Sequence, residues 1–173
     1  EQARLFAEMG YKGLFFARID YRDKEVRKAD QSLQMLWEGG KPDDPESTIF
    51  TGVFDKHYSN PDGFCFDIIC EDEPINDDPR LEEFNVDQRM AEFESYVLDH
   101  LRYYKDQEHI MFTMGDDFQY QNARMNYKNI DKIIKHMNAK TEETGIHLLY
   151  STPDCYLSVI TSHNPRDIRI LTN

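Results

Sequence analysis

Three short apolar runs, GLFFARI (13–19), HIMFTMG (109–115) and IHLLYS (146–151), constrain this chain more than any other feature. Each is too short for a buried helix. Each is also nearly continuous rather than alternating, the pattern of strands covered on both faces as in a parallel sheet. Helical periodicities lie between them. Val86, Met90, Phe93, Val97, Leu101 and Tyr104 follow at spacings of four, three, four, four and three, one apolar stripe about five turns long. A second pattern runs through Val26, Ala29, Leu33, Leu36 and Trp37. A third runs through Tyr127, Ile130, Ile133, Ile134 and Met137, with a stop near Gly145. EQARLFAEMG reads as a helix already under way at residue 1, with no initiator methionine or basic leader, so the chain is expected to be cut at its front. The order helix, strand, helix, long loop, helix, strand, helix, strand, helix predicts βαβ units, and therefore an α/β fold with parallel strands.

Between Gly39 and Pro79 the stretches GGKPDDPES, SNPDG and INDDPR break regular structure. A plain loop of that length does not suit a compact domain, so STIFTGVF and FCFDII are expected to supply short strands or bridges. The 173 residues, 39% apolar and 13% aromatic, suffice for the core of one ordinary domain. A net charge of −13 argues against nucleic acid and anionic membrane surfaces as partners, since both repel a polyanion. No run approaches the roughly 18 apolar residues that a membrane-spanning helix needs. The three cysteines are too few for a disulfide scaffold or a four-thiolate zinc site. Cys65 and Cys70 either close a small disulfide loop or remain buried thiols. A separation of five puts them on opposite faces of a regular strand, so a bridge requires a bend.

In parallel α/β folds ligands meet the carboxyl ends of the strands. That rule selects ARIDY, with Arg18, Asp20 and Tyr21, then GDDFQY, STPDCY, and HYSNPDGF in the long loop. Gly115 is expected to let the backbone leave its strand sharply. Asp116 and Asp117 then point different ways, one facing the site and one supporting it. A carboxyl whose pKa is raised by desolvation or by a second carboxylate can protonate a leaving oxygen, the pairing that glycosidases use. The alternative is a turn, or an N-cap for the next helix. Arg18 is either a structural ion-pair partner or a clamp for a carboxylate or substrate. Tyr58, Phe118 and Tyr120 either stack on sugar faces or pack internally. The six histidines sit singly, without HExxH spacing, and neither a GxSxG elbow nor a GxxxxGK phosphate loop occurs. A phosphohydrolase using the GDDF acids on a doubly wound sheet would want such a loop or a basic cluster.

Taken together, EQARLFAEMGYKGLFFARIDYRDK, TIFTGV, CFDIIC, RYYKDQEHIMFTMGDDFQYQNA and LLYSTPDCYL resemble, in that order and over nearly the whole chain, one catalytic region. It is the amino-terminal catalytic region of family 38 glycoside hydrolases, most closely those of lysosomal α-mannosidase type. The resemblance implies that residues 1–173 are an internal, truncated part of a (β/α) barrel with parallel strands. It implies a zinc-dependent retaining α-mannosidase that removes terminal α-mannosyl residues from glycans in N-glycan and mannose catabolism. In that family one Asp, also a zinc ligand, attacks the anomeric carbon, and the last Asp of a G-[SD]-D-F motif is the general acid and then the base. Carried onto this sequence, the acid/base is Asp117 and its supporting partner Asp116. Arg18 and Tyr58 fall on substrate-binding positions, and Cys65 and Cys70 on a disulfide. The family's zinc ligands and nucleophile fall outside this sequence, so zinc belongs to the parent enzyme and the chain alone is expected to be inactive. The implied partners are mannose-terminated glycans and the remainder of the parent polypeptide. The implied compartment is the lysosome, or elsewhere in the secretory pathway. The alternative is a non-catalytic glycan-binding or interaction fragment.

Overall fold

In a computed structural model that describes residues 1–40, 45–105, 108–163 and 169–171, the first apolar run and the TIFTGV stretch both become strands. In chain order the elements are α1 (Gln2–Glu8), β1 (Gly13–Phe16), α2 (Tyr21–Ala29), β2 (Gln34–Glu38), β3 (Thr48–Val53), α3 (Val86–Leu101), α4 (Ala123–Asn138), α5 (Thr141–Thr144), α6 (Pro153–His163) and β4 (Arg169–Leu171). The fold is mixed α/β. Two compact units divide the chain: Glu1–His57 with His100–Met111 and Ser151–Asn173, and Tyr58–Asp99 with Phe112–Tyr150. Part of the GGKPDDPES breaker, residues 41–44, lies outside the described residues.

The first unit holds a four-stranded sheet in the order β1-β3-β2-β4. β1 runs parallel to β3, with Gly13 opposite Phe50 and Phe16 opposite Val53. β2 is antiparallel to β3 and parallel to β4, so the expectation of parallel strands throughout is corrected. Apolar side chains alternate between the two faces, as strand geometry requires. Leu33, Met35, Val53 and Tyr104 make one buried cluster with Phe16, Ile19, Tyr103 and Ile110. Phe50 joins Tyr156, Leu157 and Ile160 of α6 in another, with Phe15, Leu36 and Met111. Gly52 is needed here because a Cβ would stand 2.6 Å from the Phe15 ring.

β2 also corrects the helix expected through Val26, Ala29, Leu33, Leu36 and Trp37. α2 starts where the Asp20 carboxylate accepts the N–H groups of Arg22 (2.9 Å) and Asp23 (3.3 Å). It stops at Ala29. Gln31 takes a left-handed φ of 56°, and the Ser32 N–H returns to the Arg27 carbonyl at 2.8 Å. Beyond that break Leu33 to Trp37 have β3 beside them, and ladder pairing with Thr51, Phe50 and Ile49 wins over a helical spacing that fits equally well.

The second unit is built on α3 and α4. Val86, Met90, Phe93 and Val97 of α3 and Ile133 and Met137 of α4 bury themselves with Phe64, Phe66 and Ile75. Each such side chain contributes about 1.5–3 kcal/mol on leaving water. Phe112 with Met114 and Ile146 with Leu148 add to this core in strand-like alternation. Even so, the strands expected at 109–115 and 146–151 have no ladder partner among the described residues. Side chains serve their backbone instead. The Asn138 amide accepts the Leu148 N–H at 2.7 Å and donates to the Leu148 carbonyl at 2.8 Å. Thr141 Oγ1 donates to the Ile146 carbonyl at 2.8 Å, and Thr113 Oγ1 to the Ser59 carbonyl at 3.0 Å. FCFDII is not a strand either. The chain turns over Asp67–Cys70, where the Cys70 N–H reaches the Asp67 carbonyl at 3.1 Å, and a disulfide joins Cys65 to Cys70 across Cα atoms 5.8 Å apart.

Candidate active site

Asp116 and Asp117 stand in the second unit on a tight turn that follows the core-facing Phe112 and Met114. The Gln119 N–H returns to the Asp116 carbonyl at 3.3 Å and closes the turn. Phe118 takes a φ of 62° and Tyr120 a φ of 66°. A left-handed conformation at a bulky residue costs about 1–3 kcal/mol and survives only where its surroundings impose it. Gly115 serves differently from the sharp backbone exit expected of it. The Tyr120 ring leans on it so closely that a Cβ would lie 3.0 Å from the ring, while the Tyr120 hydroxyl donates to the Met114 carbonyl.

The two acids have different surroundings, as their adjacency suggests. Asp116 is engaged through both oxygens: Oδ1 accepts the Asp117 N–H at 2.7 Å and Oδ2 accepts the Ser59 hydroxyl at 2.5 Å. Asp117 is exposed, and its carboxyl has no hydrogen-bond partner or ion pair among the described residues. The N-cap alternative does not apply, because Asn122 occupies the N-cap position of α4; the turn alternative does. Ser59 draws the loop carrying half-buried Tyr58 against this turn, and Asn60 Nδ2 adds a bond to Gln119 Oε1 at 2.9 Å. Phe118 is 84% exposed on the turn itself. Tyr120, Tyr127 and Tyr150 follow one another edge to face at 5.5 and 6.2 Å between ring centres. Burial first, then Asp131, pushes the Tyr150 hydroxyl well above its usual range.

Beneath the turn lies the disulfide loop. Gln119 Nε2 donates to Cys65 Sγ at 3.1 Å, and Asp67 Oδ2 accepts the Tyr120 N–H at 2.7 Å. That N–H, with help from the Asn126 amide and the Ile68 and Ile69 N–H groups, holds the buried Asp67 carboxyl below the usual carboxylate range. Sequence reasoning missed Ser59, Asn60, Asp67 and Gln119, whose partners lie more than fifty residues away along the chain. Ser59, Asn60 and Gln119 lie inside the HYSNPDGF and GDDFQY stretches selected above and Asp67 inside CFDIIC, but nothing local marked the task of each residue.

Arg18 belongs to the first unit, at the carboxyl end of β1, where it is exposed and forms no ion pair among the described residues. A buried polar group that the sequence did not suggest lies in the same unit, past the end of β3. His100 Nδ1 pairs with Asp55 Oδ2, and the Tyr104 hydroxyl lies 3.4 Å from Asp55 Oδ1. Burial pushes the Tyr104 hydroxyl well above its usual range. Lys24 Nζ donates to the carbonyls of Ala17 (2.6 Å) and Lys56 (2.5 Å), and burial lowers its pKa. Among the described residues no three His, Cys, Asp or Glu side chains gather, so they do not by themselves fit a zinc ion. No described helix is long and apolar enough to cross a membrane.

Residues 1–171 match the sequence profile described as Glycosyl hydrolases family 38 N-terminal domain. The chain is 42% identical over 166 residues to a lysosomal alpha-mannosidase of Cavia porcellus and 42% identical over 168 residues to that of Homo sapiens. Each alignment covers 95% of this chain and 16% of the relative. An alpha-mannosidase of Canavalia ensiformis is 39% identical over 160 residues, 92% of this chain and 16% of the relative. The chain thus spans about one sixth of the length of the curated relatives it matches.

Proposed function

The chain belongs to the glycosyl hydrolase family 38 N-terminal domain family, and from that premise we propose that it carries the proton donor of an α-mannosidase, Asp117. The observation that supports this most is the contrast on one turn: Asp116 has both oxygens engaged, while the Asp117 carboxyl stands exposed, with no partner among the described residues. A carboxyl so placed is free to give its proton to the glycosidic oxygen as the bond to the anomeric carbon breaks. It then takes a proton from the water that releases the sugar. Asp116 anchors the turn through Ser59. Tyr58 and Arg18 are proposed substrate contacts, Tyr58 on the loop that Ser59 holds and Arg18 through an exposed guanidinium that forms no ion pair among the described residues.

In a retaining reaction a second carboxyl, about 5–5.5 Å from the first, attacks the anomeric carbon. We assign that nucleophile, and the residues that would hold a zinc ion in the whole enzyme, to positions outside this chain. On this reading residues 1–173 are part of the catalytic (β/α) barrel domain, inactive alone, and the substrates are mannose-terminated glycans. The relatives named lysosomal support a lysosomal compartment.

The test is hydrolysis of an aryl α-mannoside by the full-length protein, with and without a chelator, beside its Asp117→Asn variant. The expected results are loss of turnover on chelation, recovery with zinc, and a fall of about two to four orders of magnitude in the variant. Turnover that ignores both changes would overturn the proposal.

A further inference from the structure

The left-handed residues of the acid-bearing turn need something to hold them, and the structure contains one group placed to do so. Asp67 is 4% exposed, at the centre of the loop that the Cys65–Cys70 disulfide closes. Its Oδ2 accepts the backbone N–H of Tyr120, the residue with φ 66° that ends the turn. One residue earlier, Gln119 donates to Cys65 of the same disulfide and accepts from Asn60. Two successive residues of the turn are thus fastened to one covalently closed loop, three residues or fewer from Asp117.

We propose that Asp67 is a positioning residue for the proton donor: by taking the Tyr120 N–H it keeps the turn in the strained shape that presents Asp117. The inference rests on the reading of Asp117 as the acid. Without the acceptor, the Tyr120 N–H loses its partner, the turn relaxes toward ordinary φ, and the Asp117 carboxyl moves. A displacement near 1 Å at a reacting group costs up to about 100-fold in rate. The loss takes a particular form, because a misplaced acid matters only where the leaving oxygen needs a proton. A phenyl mannoside needs one; a dinitrophenyl mannoside, whose leaving group departs as a stable anion, needs little.

The experiment measures kcat/KM of the full-length enzyme and its Asp67→Ala, Asp67→Asn and Asp117→Asn variants on phenyl and 2,4-dinitrophenyl α-mannosides. Asp67→Ala is expected to lose about 10- to 100-fold on the phenyl substrate and only a few-fold on the dinitrophenyl one. Asp67→Asn keeps a weaker acceptor, and is expected to lose about two- to five-fold with the same selectivity. Equal losses on both substrates, or none, would overturn the proposal. Should Asp67→Ala fail to fold, Asp67→Asn decides by the same criterion. If Asp117→Asn is selective between the substrates and the Asp67 variants are not, this inference alone fails. If Asp117→Asn is itself unselective, the assignment of the acid falls, and this inference with it.

Discussion

Asp55 in the first unit and Asp117 in the second each follow an apolar run, VFD and MGDD, yet they end in opposite states. Asp55 is 8% exposed and is engaged by His100 and Tyr104. Asp117 is exposed, and the Ser59 hydroxyl and the Asp117 N–H both donate to its neighbour Asp116. A carboxylate whose partners are supplied by the chain is a strut. The one with no partner among the described residues, beside a neighbour that has taken local donors, is the one we propose as the proton donor. The same side chain is therefore assigned by what surrounds it.

The largest expected effect separates the two directly. Asp117→Asn in the full-length protein should lower kcat/KM on a phenyl mannoside by about two to four orders of magnitude while leaving the urea midpoint nearly unmoved. Asp55→Ala should do the reverse. It leaves the buried His100 without its Asp55 partner, at a cost of about 1–3 kcal/mol read from urea unfolding. If Asp55→Ala abolishes turnover in protein that keeps its stability, the contrast is broken.

Removing the disulfide with Cys65→Ser and Cys70→Ser comes next. Opening so short a loop should cost about 2 kcal/mol of unfolding free energy. A smaller expected effect concerns Asp77, whose bond to Lys132, with help from His136, holds its carboxyl at a pKa of about 2 against an ordinary 3.8. Because the folded pKa is depressed, the contribution is present above pH 3.8 and disappears as pH falls toward 2. Solvent screening limits it to about 1 kcal/mol at most. Asp77→Asn should flatten the stability profile in that window, lowering stability by up to about 1 kcal/mol near neutrality and leaving it unchanged below pH 2; a slope left intact would assign the acid sensitivity to other carboxylates.

What the sequence shows of this molecule depends on how far away the deciding partner lies. The Val86–Leu101 helix was legible because its stripe repeats within single turns. The helix through Met137 ends at Asn138 rather than near Gly145; Gly145, with φ 72°, ends the separate short α5. Leu33, Leu36 and Trp37 were misread because their spacing suits helix and strand alike, and the arbiter was β3, more than ten residues on. The runs at 109–115 and 146–151 do contribute to a core through Phe112, Met114, Ile146 and Leu148, but in alternation and without a ladder partner among the described residues, not as the continuous two-sided strands expected. That Thr113, Thr141 and Asn138 would stand where neighbouring strands were expected leaves no trace in local pattern. At the candidate site, the GDDF acids were singled out through family resemblance. Ser59 and Asp67 carry no motif that points at position 116 or 120, since each is a common polar residue that acquires its task only on folding.

Asn138 has one more consequence. The N–H and C=O of a residue in an extended segment face the same side, and at Leu148 a single amide fills both. At that residue a foreign peptide finds neither group free, and an occupied backbone hinders the intermolecular strand addition that leads to aggregates. Removing the Asn138 side chain would leave the fold's apolar core intact and expose a template.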